Sequence, residues 1–174
     1  MEMSRQQQII ISGRGGQGVL TLTRLLAEAA ARQGLEVITS ETHGMAQRGG
    51  AVISMVKVGP FMGPLIAAGQ AEVGLFLQAD NLAVHGFYLH PEATVFLNTA
   101  VPGSYQALDA QTLAVQLGLP PVSSNLLLLG FAAASGRLCV SLEVLMQVMP
   151  EITPVKWRNR SRQALAAGAA SWRP

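Results

Sequence analysis

The segment from Gly13 to Gly18, with the sequence Gly-Arg-Gly-Gly-Gln-Gly, has the residue types and spacing of a phosphate-binding turn. It matches the pattern G-x-G-x-x-G, in which glycines let backbone N–H groups approach an anion at the positive N-terminus of a helix. Glycines at such a turn also serve to pack a strand tightly against a helix without any ligand, and both interpretations stay open. The candidate residues are Gly13, Gly15, Gly16, Gln17 and Gly18.

A second candidate loop covers residues 41–50. Glu41 stands 23 residues after Gly18, about where a dinucleotide-binding protein places the acid that holds the ribose hydroxyls. The glycines around His43 and Arg48 indicate backbone pressed against a ligand or another chain. A lone histidine is more often structural than catalytic, so we predict no catalytic residue here. The candidate residues are Glu41, His43, Gly44, Gln47, Arg48, Gly49 and Gly50.

Both loops must be positioned by a strand, a helix and a second strand. The run from Gln8 to Ser12 is rich in β-branched residues, and apolar residues then recur at helical spacing from Val19 to Gln33. Gly34 is a suitable C-terminal cap, and Glu36 to Ser40 predicts the second strand. These elements form a βαβ unit, which places the two loops at one rim of a sheet.

The third predicted strand, Ala51 to Val58, breaks the alternation of strands and helices. Only residues 41–50 precede it, which is marginal room for a crossover helix. We therefore expect this strand to run antiparallel to its neighbour or to lie at the sheet edge. The predicted fold class is α/β: a Rossmann-like, doubly wound three-layer sandwich with a mostly parallel sheet and an irregular third strand, in a single domain covering residues 1–174.

Alternation resumes in the rest of the chain. Strands are predicted at residues 73–78, 94–98 and 105–108. Helices are predicted at residues 80–89, 109–117, from Ser124 or Asn125 to 135, 141–149 and 154–170.

The amino-acid composition indicates that a partner covers part of the surface of this chain. Charged residues make up only 13% of the chain, against roughly 25% in an average soluble protein, so we expect a partner to cover part of it. The net charge of +2 does not suit nucleic-acid binding. Basic residues nevertheless cluster after Glu151, either as a solvated helix face or as a surface for an acidic partner or anionic ligand. They are Lys156, Arg158, Arg160, Arg162 and Arg173.

The single cysteine, Cys139, excludes an internal disulfide and a cysteine-ligated iron–sulfur cluster, and it is expected to be buried as a small apolar residue. The chain has no apolar stretch near the ~20 residues needed to span a bilayer. We expect a cytoplasmic location, no membrane association and no metal site.

Three groups of residues carry a resemblance to a known family. Ser12–Val19, the loop from His43 to Gly50, and Gln78-Ala79-Asp80 resemble the gamma-type domain of 2-oxoacid:ferredoxin oxidoreductases. The form Ala-Gln-Arg-Gly-Gly within the loop looks most like the indolepyruvate branch. The resemblance leaves the 2-oxoacid open between indolepyruvate or another aryl pyruvate and pyruvate or ketoisovalerate. The resemblance continues through Asn98 and Asn125 and covers essentially the whole chain. It adds Asn125 to the candidate ligand-binding or interface residues.

The resemblance implies a division of labour. Partner subunits would bind thiamine diphosphate with Mg and the Fe-S clusters, decarboxylate the 2-oxoacid oxidatively to an acyl-coenzyme A, and pass electrons to ferredoxin. This chain would bind no cofactor of its own and would be inactive alone. Its expected roles are assembly, shaping of the active-site entrance, and contact with the phosphates of coenzyme A through Gly15–Gly18 and Arg48.

Two other interpretations stay open at the level of sequence. One is a stand-alone NAD(P)-dependent enzyme, for which Glu41 would hold the ribose. The other is a non-catalytic module that binds a nucleotide or coenzyme A without a partner. Whether the isolated chain forms a homodimer through the surface meant for its partner is also open.

Overall fold

The computed structural model describes residues 6–42 and 49–174, which contain a six-stranded sheet and six α-helices. The strands are β1 (Gln7–Arg14), β2 (Val37–Glu41), β3 (Ala51–Val58), β4 (Ala71–Phe76), β5 (Leu89–Asn98) and β6 (Gln106–Leu108). The helices are α1 (Val19–Arg32), α2 (Asn81–His85), α3 (Ala110–Gln116), α4 (Ser124–Ala134), α5 (Leu142–Ile152) and α6 (Arg158–Ala170). The α/β class is confirmed.

The sheet is mostly parallel, with one reversed strand. Its strand order is β2-β3-β1-β4-β5-β6. The pairs β1–β4, β4–β5 and β5–β6 are parallel, whereas β3 is antiparallel to both β1 and β2. The antiparallel alternative for the third strand is therefore confirmed.

The place of β3 corrects one feature of the predicted βαβ unit, since β1 and β2 are not neighbours. The connection after β2 is too short for a crossover helix, so the chain turns back and β3 pairs with β2 over five residues. On its other side β3 pairs with β1 over eight residues, from Gln7↔Val58 to Arg14↔Ala51. The sheet edge is occupied by β2 instead.

Both faces of β1 are buried, which explains its continuous apolar sequence. Ile9 and Ile11 belong to the larger core, which the sheet forms with α1, α4, α5 and α6. Ile10 points to the opposite face and belongs to a smaller cluster with Ile53 and Phe76. Alternate side chains of β1 therefore pack into the two cores on opposite faces of the sheet.

The second face has a thin covering. The segment between β3 and β4 contributes Ile66 to it, and Leu82 of α2 packs on the same cluster. The predicted helix at residues 80–89 is shorter than expected, because α2 ends at His85 and a 3-10 turn follows it. The sheet thus lies between two layers, as predicted, but most of the helical layer is on one side.

Helices α4 and α6 cross with their backbones in contact. A Cβ placed on Gly168 would overlap the carbonyl of Leu127, and one on Gly130 would overlap the carbonyl of Leu165. Such close approach is open only to glycine. This crossing fixes the start of α6 relative to the turn before α4, next to the candidate site.

Candidate functional site

The glycine turn joins the end of β1 to the start of α1. Gly16 and Gly18 have φ of 90° and 84°, in the left-handed region that favours glycine. Gln17 closes the turn: its amide N–H donates to the Arg14 carbonyl at 3.1 Å, and its side-chain Oε1 accepts from the Arg14 amide at 2.6 Å. The predicted strand, turn and helix are present, and the Gln17 side chain is engaged within the turn.

The segment Gln78–Asp80 ties the turn to the strand beside it. Gln17 Nε2 donates to Gln78 Oε1 at 3.3 Å. Arg14 Nη2 lies 3.3 Å from Asp80 Oδ2, as an exposed ion pair. The third motif singled out from the sequence therefore contacts the first, and it braces the turn from the end of β4.

A cavity of about 530 Å³ lies against the turn. Its lining includes Arg14, Gly15, Gly16 and Gly18 around the turn, Val19, Leu20 and Thr21 from α1, Glu41 at the end of β2 and Thr42 after it, Val52 of β3, and Val122. The expectation that the glycine turn and the Glu41 loop share one rim is met, since both line the same cavity. The amide of Gly15 also donates to the carbonyl of Gly50 at 3.2 Å.

The N-terminus of α1 opens onto this cavity. The first N–H groups of a helix have no partner within it and carry a partial positive charge. At α1 the N-cap residue is Gly18, which has no side chain to satisfy them, and the first turn contains no acidic residue. Arg14 adds a guanidinium at the same wall. This end of the cavity suits an anion.

The sheet order argues against a dinucleotide site of the usual kind. In such sites the ribose-binding acid follows the strand next to β1. Here β3 separates β1 from β2, so Glu41 ends a strand about 9.6 Å from β1 instead of about 4.8 Å. Because β3 runs the other way, its first residues enter the rim, and Val52 lines the space between Glu41 and the turn.

The other residues predicted from the sequence have distinct places. Asn125 is 4% exposed and lies behind the turn, with Nδ2 3.5 Å from the Gly18 carbonyl. A Cβ on Gly13 would contact Gln17, Val19 and Leu77, so its role is close packing. Gly49 has a φ of 89°. Four candidates lie outside the described residues: His43, Gly44, Gln47 and Arg48.

A buried polar cluster below the turn was not predicted from the sequence. Ser12 Oγ lies 2.7 Å from His85 Nδ1, and Asn81 Nδ2 donates to Ser12 Oγ at 3.0 Å and to the Gly13 carbonyl at 2.7 Å. Ser12 is fully buried, so it holds structure and is not accessible as a nucleophile. A serine within an apolar strand was the available signal, but nothing local connected it to α2.

This cluster predicts a pH dependence of stability. Burial lowers the pKa of His85 from its ordinary value of 6.5, because the charged imidazolium loses hydration. The unfolded chain therefore binds more protons than the folded chain below about pH 6.5, so stability is full above that pH and falls as the pH drops toward the folded pKa. We expect the urea midpoint to fall between pH 7.5 and 5.5 in the wild type and to fall less in His85→Gln.

The matched control is His90→Gln, on the exposed first residues of β5. It should keep the wild-type dependence. An equal fall in all three proteins would assign the effect to other groups.

No metal site is formed by the described side chains: within residues 6–42 and 49–174, no three His, Cys, Asp or Glu residues are close enough to hold an ion. Cys139 is buried, as predicted, at 8% exposure. Of the helices in the described ranges, none has the length and hydropathy needed to cross a membrane.

Comparison with known proteins gives consistent results. The family model described as pyruvate ferredoxin/flavodoxin oxidoreductase matches residues 8–171. The chain is 45% identical over 105 residues to the indolepyruvate oxidoreductase subunit IorB of Archaeoglobus fulgidus, a match that covers 59% of this chain and 52% of that protein. The chain thus spans about half the length of this relative.

Two further matches cover nearly the whole chain. The IorB subunit of Methanothermobacter thermautotrophicus is 28% identical over 186 residues, which is 92% of this chain and 94% of that protein. The crystal structure of the keto/oxoacid ferredoxin oxidoreductase gamma subunit from Geobacter sulfurreducens superposes with a TM-score of 0.75 at 25% identity, covering 93% of this chain and 95% of that one.

Proposed function

Because the chain belongs to the pyruvate ferredoxin/flavodoxin oxidoreductase family, we propose that it is the gamma-type subunit of a complex that oxidatively decarboxylates a 2-oxoacid of the indolepyruvate type. The observation that carries this proposal is the similarity to indolepyruvate oxidoreductase subunits over more than nine tenths of the chain. The gamma-subunit fold of the Geobacter sulfurreducens protein supports it independently.

In this proposal the redox chemistry belongs to the partner subunits. One cysteine cannot ligate an iron–sulfur cluster, which needs several thiolates. Thiamine diphosphate, its magnesium ion and the clusters would therefore be held by a partner that reduces ferredoxin. The work of this chain is to assemble with that partner and to form one wall of the site that the acyl acceptor enters.

Coenzyme A is the small molecule that best suits the cavity beside the glycine turn. Its phosphates need N–H donors and a cation. The start of α1 would supply the donors, and Arg14 would supply the cation by turning from its exposed ion pair with Asp80 to a phosphate. The cavity volume of about 530 Å³ is in the range of small-molecule sites. Gly15, Gly16 and Gly18 would let a phosphate approach the backbone. Arg48 is proposed from the sequence to add a second guanidinium.

Reconstitution tests the proposed function directly. The chain and its thiamine-binding partner from the same host are produced separately and together under anaerobic conditions, and ferredoxin reduction by indolepyruvate and coenzyme A is followed. We expect activity in the assembled complex and none with this chain alone. Full activity of the partner without this chain would contradict the proposal, as would failure of the two proteins to associate.

Substitution of Arg14 tests the coenzyme A site. In the assembled complex, Arg14→Ala should raise KM for coenzyme A about tenfold with little change in kcat, since a charge-assisted contact of about 1.4 kcal/mol would be lost. Arg137→Ala, at the far end of α4, is the control. Unchanged coenzyme A dependence in both Arg14→Ala and Arg48→Ala would remove this part of the proposal.

A further inference from the structure

A second cavity, of about 270 Å³, continues from the first along the helical face of the molecule. It lies between α1, the turn before α4 together with the first residues of α4, the end of α5 and the start of α6. Leu25 and Leu126 form a buried apolar floor. Thr21 and Val122 line both cavities, so the two are adjacent. We call this second cavity and its walls the α6 groove.

The rim of the α6 groove exposes apolar side chains. Val122 is 48% exposed, Trp157 is 39% exposed, and Val155 beside it is 74% exposed. Isolated exposed apolar residues are ordinary, but a group of them around a cavity is typical of an interaction site. An occupant of the groove would remove this apolar surface from water.

The charge of this region is strongly one-sided. The chain after Glu151 contains five cations and no Asp or Glu, whereas the chain up to Glu151 contains seven cations and ten Asp or Glu residues. Four of the five cations fall within residues 156–162, around the start of α6, and Arg173 lies beyond the end of that helix. Within residues 6–42 and 49–174 the ion pairs are Arg14–Asp80 and Arg32–Glu151, and neither uses a cation of this segment. The basic groups are therefore not neutralised by the described part of their own chain.

Two of these cations frame the aromatic wall of the groove. Lys156 Nζ and Arg160 Cζ each lie 5.4 Å from the centre of the Trp157 ring. Cation–π contacts of this length hold the cations beside the ring, and Arg160 itself lines the cavity. The groove thus combines an apolar cavity with positive charge at its edge.

We propose that the α6 groove is the docking site for an acidic segment of the thiamine-binding partner subunit. An apolar side chain of that segment enters the cavity over Leu25 and Leu126, and its carboxylates meet Lys156 and Arg160. Charge complementarity favours this occupant. Salt screens the attraction between exposed cations and a single small anion, whereas an acidic polypeptide binds several cations at once. The inference rests on the proposed function, which supplies the partner.

Docking at this place would have a consequence for the first cavity. Since Val122 and Thr21 line both cavities, a partner seated in the α6 groove would border the glycine turn. The partner would then complete the wall that is open in the isolated chain. In the proposed complex, this chain would therefore lie beside the partner's reaction site although it carries no redox group of its own.

Charge reversal tests the inference. The purified thiamine-binding subunit is immobilised, and its affinity for the full chain is measured by biolayer interferometry at about 0.1 M and 1 M salt. We expect Lys156→Glu/Arg160→Glu to bind at least about 30-fold more weakly at low salt, with a smaller difference at high salt because screening reduces charge effects. The control variant is Arg137→Glu/Arg173→Glu, which makes the same charge change at the other end of α6.

Photocrosslinking gives a second, independent measurement. A photoreactive residue in place of Val122 should crosslink, in the assembled complex, to a peptide of the partner that is rich in Asp and Glu. Crosslinks to a second copy of this chain, or equal affinities for both charge-reversed variants, would overturn the inference. If the wild-type chain does not bind the partner at all, the proposed function is wrong as well. Normal binding by the Lys156→Glu/Arg160→Glu variant would contradict only docking at the α6 groove.

Discussion

Replacing Gly168 with alanine is expected to lower the free energy of unfolding by about 3 kcal/mol. Helix propensity alone predicts the opposite, since alanine is favoured over glycine inside a helix by about 1 kcal/mol. The added Cβ would overlap the Leu127 carbonyl of α4, which is backbone and cannot rotate away. Helices α4 and α6 would have to separate, and both contribute fully buried residues to the larger core.

The measurement is thermal and urea unfolding of the variant. For a chain of this size a loss of 3 kcal/mol corresponds to a fall in Tm of roughly 6 to 12 °C. Gly86→Ala is the control, because a Cβ there would meet only Leu82 at an ordinary contact distance of 3.5 Å. A Gly168→Ala variant as stable as the wild type would show that the two helices tolerate a wider crossing.

The order of elements could be predicted from the sequence because each signal is local. The β-branched run in β1, the helical spacing of α1 and the short connection before β3 are all readable within a few residues. The insertion of β3 between β1 and β2 could not be predicted in the same way. The position of β3 depends on how much of its backbone can pair with neighbouring strands. At the sheet edge β3 would pair with one strand, whereas between β1 and β2 it pairs over eight residues with β1 and over five with β2.

At the candidate site, too, local features could be predicted from the sequence and long-range contacts could not. The glycine turn and Glu41 were expected at one rim, because both follow strands that end at the same edge of the sheet, and they line one cavity. The contacts that hold the turn were not predicted. Gln17 reaches Gln78 across 61 positions of sequence, and Ser12 meets His85 across 73. Such pairs are set by the packing of β4 and α2 against β1, which no local pattern encodes.

The shape of the cavity connects the fold to the proposed function. In a regular dinucleotide fold the strand beside β1 would run parallel to it and end at the rim. Here the neighbour is β3, which begins at the rim and places Val52 there. One wall becomes apolar while the start of α1 stays positive, a combination that suits a long ligand with phosphates at one end. The cavity adjoins the α6 groove at Thr21 and Val122, which is the side where we propose that the partner docks.

Replacing Gly18 with alanine is expected to damage both stability and coenzyme A binding. Gly18 has a φ of 84°, and an added Cβ would overlap the Asn125 amide nitrogen. The left-handed conformation alone costs an L-residue roughly 1 to 2 kcal/mol, and displacing a buried asparagine adds to this, so we expect a loss of about 3 kcal/mol. In the assembled complex, KM for coenzyme A should rise at least about tenfold, because the amides at the start of α1 would be moved.

A double-mutant cycle separates the two causes of the Gly18→Ala effect. Gly34→Ala is the matched control: its φ is 74°, but a Cβ there meets nothing within 4 Å, so only the backbone strain of about 1 to 2 kcal/mol applies. Combining Gly18→Ala with Asn125→Ala removes the overlap, so the double variant should lose about 1 kcal/mol less than the sum of the single variants. Equal losses for Gly18→Ala and Gly34→Ala, with additive effects in the cycle, would mean that Asn125 moves aside at no cost in stability. The KM for coenzyme A in Gly34→Ala should match the wild type, since Gly34 lies at the opposite end of α1 from the cavity.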